Sequence, residues 1–296
     1  MSPSLVPGSV LVGVDGSPGS DLALSWAAQH ARHSGRPLVV LHAVGYAVVT
    51  DFAIDLPQSE EDLLAAGRRV TERALEAVGQ EQPTVVATAH GVVGDARAVL
   101  SRFAEGAEVL VVGSRGRGPL SSLLLGSVSV ALAAHAPCPV VVVRPPSTNV
   151  PSDELSVVVG VSGAECDTEV LTLAFELASA QRRPLEVVHA FGPAVVFPYP
   201  DLLGPDLEKR LDEAADRLLT DSLEGYADKF PDVVVHRRLI PETPSQALVD
   251  ASGTAAVLIV GCRGRGPTQS HLLGSVSRAV VERAHCTVVV VRGAGQ

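Results

Sequence analysis

Residues 109–127 read VLVVGSRGRGPLSSLLLGS, and residues 257–275 read VLIVGCRGRGPTQSHLLGS. In both, an apolar run is followed by Gly, two residues, Gly, nine residues and Gly-Ser, with Arg-Gly-Arg-Gly-Pro inside. A short apolar, β-branched run bounded by glycine is the pattern of a strand buried on both faces of a parallel sheet. The residues after Gly-Ser carry a helical pattern, so each copy predicts strand, glycine loop, helix. Two copies at identical spacing make chance implausible and divide the chain into halves.

Working outward, the halves superpose with an offset of 147 early (Asp15 with Ser162, His42 with His189) and 148 late (Gly113 with Gly261, Gly126 with Gly274). With 296 residues, two domains of roughly 150 fit the common domain size. Residues 145–155, PPSTNVPSDEL, are rich in Pro, Ser and Asx and lack apolar periodicity, as a linker does. The expected domains are 1–146 and 154–296, joined by a linker at about 147–153.

Each half alternates strand and helix. In the first, Val10–Val14 is a strand with Asp15 at its carboxyl end, and Ser17-Pro18 caps a helix whose face runs through Leu22, Trp26, Ala27 and His30 to a stop at Gly35. Leu38–Ala43, Thr84–Ala89, Val109–Val112 and Val140–Val143 are the further strands, with helices over 60–78, 95–105 and from Ser127. The second half predicts strands near Val157–Val161, Leu185–His189, Val233–Arg237, Ala256–Val260 and Val288–Val291, and leucines 207, 211, 218 and 219 mark the core face of a helix. The proline-bearing excursions 45–59 and 192–206 are long enough for flaps. Such alternation implies an α/β fold: a five-stranded parallel sheet per half, doubly wound, with right-handed crossovers.

Composition narrows the function. Net charge is −10, and Lys209 and Lys229 are the only lysines, which excludes a basic face of nucleic-acid size. No run approaches the ~18–20 apolar residues of a membrane helix, and Met1–Gly8 lacks the pattern of a signal peptide. A cytoplasmic chain with no membrane partner is expected. The four cysteines show no paired metal spacing, and Cys138 and Cys286, at matched positions, read as small buried packing. No protein metal site is expected.

In an open parallel sheet, ligands sit beyond the carboxyl ends of the strands where strand order reverses. The first and fourth strands flank that point, which brings Asp15 and the Gly113 loop to one crevice. Gly113 and Gly116 permit positive φ and close backbone approach. Gly126-Ser127 opens a helix whose free N–H groups favour a phosphate. Arg115 and Arg117, like Arg263 and Arg265 in the twin, either add charge-assisted hydrogen bonds or are solvated loop residues. Asp15 either caps its turn or contacts a ligand. His42 and His189 are buried and satisfied by backbone, or stand behind the ligand site. The loop is neither a Walker A sequence nor the dinucleotide fingerprint. Gly160-Val161-Ser162-Gly163-Ala164 is no nucleophile elbow, because its last glycine is missing and the twin position is Asp15.

These residues resemble the universal stress proteins, whose ATP-binding members carry Gly-x2-Gly-x9-Gly-(Ser/Thr) after the fourth strand. The resemblance covers essentially the whole chain and is similar to the tandem, two-domain type of actinobacteria. It implies two Rossmann-like domains of the adenine nucleotide alpha hydrolase-like class. The implied function is an ATP-binding regulator of stress response or growth with no catalytic residues; the alternative is a slow ATP hydrolase or nucleotidyl transferase in the same crevice. The implied cofactor is ATP with Mg2+ carried on its phosphates.

Carried over residue by residue, the resemblance places Gly13 and Asp15 by the adenosine and the backbone of Ala43 at the adenine edge. Gly113, Gly116, Gly126, Ser127 and Val128 would hold ribose and phosphates, with Ser114 and Gly118 completing the loop. In the second half the matching positions are Gly160, Ala190, Gly261, Gly264, Gly274, Ser275 and Val276, with Cys262 and Gly266 in the loop. The resemblance also implies an intramolecular pseudo-dimer through the last strands, a possible homodimer and a regulatory protein partner. One departure stands out: Ser162 replaces the aspartate of the first strand's end. Loss of a charged hydrogen bond costs about 1.5–3 kcal/mol, roughly ten- to a hundredfold in affinity, so a weaker second site is expected.

Overall fold

In a computed structural model of the chain, the described residues are 6–45, 60–116, 126–145, 150–164, 167–191, 207–262 and 273–292. The chain divides into two compact units, Met1–Pro145 and Pro146–Gln296.

The first unit runs β1 (Val10–Gly13), α1 (Pro18–Ser34), β2 (Leu38–Val44), α2 (Glu60–Glu81), β3 (Ala87–Val93), α3 (Ala96–Phe103), β4 (Val109–Gly113), α4 (Ser127–His135) and β5 (Val140–Val143). Its strands lie in the order β3-β2-β1-β4-β5, and every pairing is parallel. The second unit runs β6 (Ser156–Gly160), α5 (Asp167–Gln181), β7 (Leu185–Ala190), α6 (Leu207–Ser222) and a short α7 (Tyr226–Lys229). It continues with β8 (Val235–Ile240), α8 (Pro244–Ala251), β9 (Ala255–Gly261), α9 (Ser275–Arg283) and β10 (Thr287–Val291). Its order, β8-β7-β6-β9-β10, repeats the first and is again parallel. The expected α/β fold with parallel sheets is what the chain adopts, and the order reverses between β1 and β4 and between β6 and β9.

Burial explains the continuous apolar strands. Val10, Leu11 and Val12 in β1 and Val157, Val158 and Val159 in β6 are fully buried, as central strands covered by helices on both faces must be. Local chemistry sets the helix ends. Ser17 caps α1 in extended geometry (φ −86°, ψ 157°) and accepts from the Ser20 N–H, Pro18 opens the helix, and Gly35 closes it at φ 66°.

Three expectations are corrected. The buried stripe of α1 is Ala23, Leu24, Ala27, Ala28 and Ala31, while Leu22 is 39% exposed, because the sheet lies against the alanine face and small side chains let the helix approach it. In α6, among the described side chains, Ala215 and Leu219 are buried and Leu211 is exposed. The outer strands begin later than expected. Val85 donates back to the Gln82 carbonyl in a turn, so β3 covers Ala87–Val93 rather than Thr84–Ala89, and β8 covers Val235–Ile240 rather than Val233–Arg237. Outer strands are only half covered, which admits His90 and Gly91 in β3 and Arg237 and Arg238 in β8. Arg238 pairs with Glu186 of the neighbouring β7, and such charge blunts a sheet edge. The excursions read as flaps, 45–59 and 192–206, lie outside the described residues, Gly45 excepted.

Candidate nucleotide crevice

Register brings the two halves of each crevice together. Val12 stands opposite Val111 on β4, so β1 and β4 end level, and the chain leaving each of them turns over the same end of the sheet. There Val14 donates to the Leu41 carbonyl at 2.9 Å and Ser114 to the Val143 carbonyl at 2.8 Å, which continues the sheet bonding past both strand ends. In the second unit Val161 donates to Val188 O at 2.9 Å and Cys262 to Val291 O at 2.7 Å, the same pattern.

The glycine loops are closed at their feet. Gly126 donates to the Ser114 carbonyl and Gly274 to the Cys262 carbonyl, both at 2.9 Å. From the first turn of the following helix, Ser129 Oγ donates to Gly113 O at 2.7 Å and Ser277 Oγ to Gly261 O at 2.8 Å. These bonds hold the start of α4 and α9 directly over the strand end. Both helices begin without a side-chain cap, since Gly126 (φ −63°, ψ 139°) and Gly274 (φ −60°, ψ 156°) occupy the cap position. The first N–H groups therefore face outward with the positive end of the helix dipole behind them, the arrangement that favours an anion.

Of the two reasons expected for glycine at 113 and 116, close approach holds and positive φ does not. Neither has a positive φ, whereas Gly16 (φ 74°) and Gly163 (φ 77°), just beyond Asp15 and Ser162, do. At Gly113 a Cβ would stand 2.5 Å from the Gly19 carbonyl oxygen, and at Gly116 it would run into Asp15 Oδ2. The need is space: the backbone of the loop touches α1 on one side and the Asp15 carboxylate on the other. Gly13 and Gly160 also serve packing. A Cβ there would lie 3.0 Å from both methyls of Leu100, and 2.9 and 3.0 Å from those of Leu248.

Asp15 Oδ1 accepts the Ser17 N–H at 3.0 Å, so it does cap its turn while standing against Gly116. His42 Nδ1 lies 2.6 Å from Val14 O and His189 Nδ1 2.7 Å from Val161 O, so both buried rings are satisfied by backbone at the crevice floor. Arg115 is exposed. Arg117, Gly118, Arg263, Gly264, Arg265 and Gly266 lie outside the described residues.

In the second unit the crevice is a cavity of about 350 Å³. Five of the expected residues line it: Gly160, Ser162, Ala190, Gly261 and Val276. Gly274 and Ser275 begin the helix that carries Val276. Leu248, Phe191 and Ser277 also face the cavity and were not anticipated. Among the described residues, no group of three or more His, Cys, Asp and Glu could hold a metal ion.

Ser162 does stand where the first unit has Asp15, yet this crevice holds a carboxylate from another position. Asp167, the first residue of α5, lines the same cavity and turns its carboxylate back over the strand end. Its Oδ2 accepts the backbone N–H of Ser162 at 2.9 Å, of Ala164 at 3.1 Å and of Gly163, and its Oδ1 accepts Ser162 Oγ at 3.3 Å. Burial raises the Asp167 pKa above its ordinary value, and the bonds from Gly163, Ser162 and Ala164 only partly oppose this by favouring the anion. Asp167 has no signal in the internal repeat, because the residue at its place in the first half is Ser20. The Ser129 and Ser277 bonds had a visible signal, since both copies continue Gly-Ser-Val-Ser.

The universal stress protein family profile matches residues 8–144 and again 156–292, one match over each unit. The chain belongs to the universal stress protein family. It is 33% identical over 293 residues to the universal stress protein Rv2623 of Mycobacterium tuberculosis, covering 96% of both chains. To a second such protein of that organism, Rv2005c, it is 35% identical over 292 residues, again with 96% of each covered. Among solved structures, a universal stress protein from Archaeoglobus fulgidus matches 96% of this chain and 98% of its own, with a TM-score of 0.67 at 20% identity, a likeness of fold. The family match thus follows the duplication, and both crevices sit inside matched segments.

Proposed function

We propose that this universal stress protein binds ATP in the crevice of each unit and acts as a nucleotide-dependent regulator of stress response or growth rather than as a dedicated catalyst. The observation that carries the reading is the uncapped start of α4 and α9, held over the end of β4 and β9 by Ser129 and Ser277, with a carboxylate across the crevice. The helix start suits phosphate oxygens and the carboxylate suits the hydroxyl donors of a ribose. A cavity of about 350 Å³ falls within the roughly 300–1,000 Å³ of small-ligand sites.

In this reading, Gly113, Gly116, Gly126, Ser127 and Val128 hold the ribose and phosphates in the first unit, with Gly13 and Asp15 at the adenosine and the Ala43 backbone at the adenine edge. Gly160, Ala190, Gly261, Gly274, Ser275 and Val276 do so in the second. Mg2+ arrives on the phosphates and is not held by a protein cage. A regulatory protein in the cytoplasm reads the loaded state.

Efficient hydrolysis needs a metal-holding carboxylate and a positioned base at the γ-phosphate. The carboxylates of Asp15 and Asp167 are instead tied to the turns beyond the first strand of each unit, which favours holding the nucleotide over turning it over. The test is mass spectrometry of ligand released from the purified chain, followed by calorimetric titration with Mg-ATP. An adenine nucleotide with saturable binding at up to two per chain is expected. No binding at millimolar ATP overturns the reading, and phosphate release at rates near those of dedicated ATPases replaces the regulator by the hydrolase.

A further inference from the structure

We infer that Asp167 is the specificity-determining residue of the second crevice, where it accepts a hydrogen bond from one ribose hydroxyl of the nucleotide. The inference rests on the nucleotide reading given above. It goes beyond it by assigning a role to a residue with no counterpart of its type in the first unit.

The acceptor capacity of the carboxylate carries the argument. A carboxylate offers about four lone-pair positions. Asp167 Oδ2 takes three backbone N–H groups, from Ser162, Gly163 and Ala164, and is filled. Oδ1 has the Ser162 hydroxyl at 3.3 Å, a long bond that leaves one position for a further donor. The carboxylate lines the same cavity as Gly261 and Val276, so a ligand there meets it.

Charge decides which part of the ligand that is. The backbone N–H groups of the Ser162 turn, which would otherwise attract an anion, are already satisfied by Asp167. A phosphate is repelled from this wall and belongs at the open start of α9. What meets Asp167 must donate, and with a single position free on Oδ1 it donates once. One hydroxyl, rather than a bidentate 2′,3′-diol, fits that count. Asp15 and Ser20 of the first unit are matched in the second by Ser162 and Asp167, so the carboxylate comes from the strand end in the first unit and from the first residue of α5 in the second.

The test uses the full chain with Gly116→Glu, which drives a charged side chain into Asp15 and leaves the second crevice to be read. Calorimetry compares ATP with its 2′-deoxy and 3′-deoxy analogues and with purine riboside triphosphate, which lacks the adenine amino group. One deoxy analogue is expected to bind roughly ten- to a hundredfold more weakly than ATP. In Asp167→Asn that gap should shrink to less than about threefold, while the purine riboside gap stays as it was. The exchange Ser162→Asp with Asp167→Ser should restore the deoxy gap, which guards against a variant that simply folds poorly. A deoxy gap that persists in Asp167→Asn makes Asp167 a turn cap only and overturns the inference. So does a gap that Asp167→Asn removes for purine riboside instead, because the donor is then the adenine amino group. If the wild-type chain binds one ATP and the Gly116→Glu chain none, the second crevice is no nucleotide site and both readings of it fail. If the wild-type chain binds none, the proposed function itself fails.

Discussion

Gly116 and Asp15 are in contact across the first crevice, so closely that even the single carbon of an alanine side chain would run into Asp15 Oδ2. The glycine of the loop and the carboxylate of the strand end therefore form one wall, and a side chain at 116 would displace the carboxylate. Gly116→Ala should displace the carboxylate and weaken ATP binding to the first unit at least about tenfold. Gly116 is exposed and its φ is not positive, so stability should change by less than about 1 kcal/mol. Calorimetric titration beside a thermal melt separates the two effects. Unchanged affinity would show that the contact is incidental.

The second unit offers a packing test at Gly160. A Cβ there would stand 2.9 and 3.0 Å from the two methyls of Leu248, tighter than a methyl contact allows. Gly160→Ala is expected to destabilise the protein by about 1–3 kcal/mol, the cost of overpacking a filled core. Adding Leu248→Val should recover part of that loss in denaturant unfolding. Full additivity of the two changes would contradict the contact.

Asp167 makes stability depend on pH in a stated direction. Its folded pKa is raised, chiefly by burial, so the native chain keeps a proton at pH values where the unfolded chain has released it. The unfolded state then binds fewer protons, and stability falls as pH rises from the ordinary carboxylate range through the raised folded value. Urea unfolding of wild type and Asp167→Asn across about pH 3–7 measures this, because the Asn variant lacks the titration. The difference between the two curves should decline toward higher pH. A difference that grows with pH reverses the sign and refutes the assignment.

Cys138 should be chemically silent in the native protein. It is buried, and burial pushes its thiol up to about 12, so almost no thiolate exists near pH 8. Iodoacetamide at that pH should leave Cys138 unmodified in the folded chain and label it fully after denaturation, as read by peptide mass spectrometry. Rapid native labelling would mean that the site opens far more often than its packing implies.

Much of the fold could be read from residues in line. Val10–Val12, Leu38–Leu41 and Val109–Val112 are unbroken apolar runs because a parallel sheet buries both faces of its central strands, so they announce themselves without reference to the rest of the chain. The outer strands β3 and β8 could not be placed as well. They are half covered and carry His90, Gly91, Arg237 and Arg238, and such residues are accepted only where a neighbouring strand supplies the pairing. The buried face of α1 is hidden from the sequence at Leu22 for a related reason: close approach to a sheet rewards alanine, and periodicity weighted by side-chain size points elsewhere.

What the sequence determined by itself was the duplication, the alternation of strand and helix, and the two glycine loops that mark the crevice. These follow from local composition and from spacing along the chain. The tertiary structure decided why Gly113 and Gly116 must be glycine, since that depends on Gly19 and Asp15 approaching from elsewhere in the chain rather than on φ. It also decided that Asp167 supplies the second carboxylate. A side chain five positions from Ser162 can fill the place of an aspartate at the strand end only because the turn into α5 folds back and offers it three N–H groups. No alignment of the two halves carries that geometry.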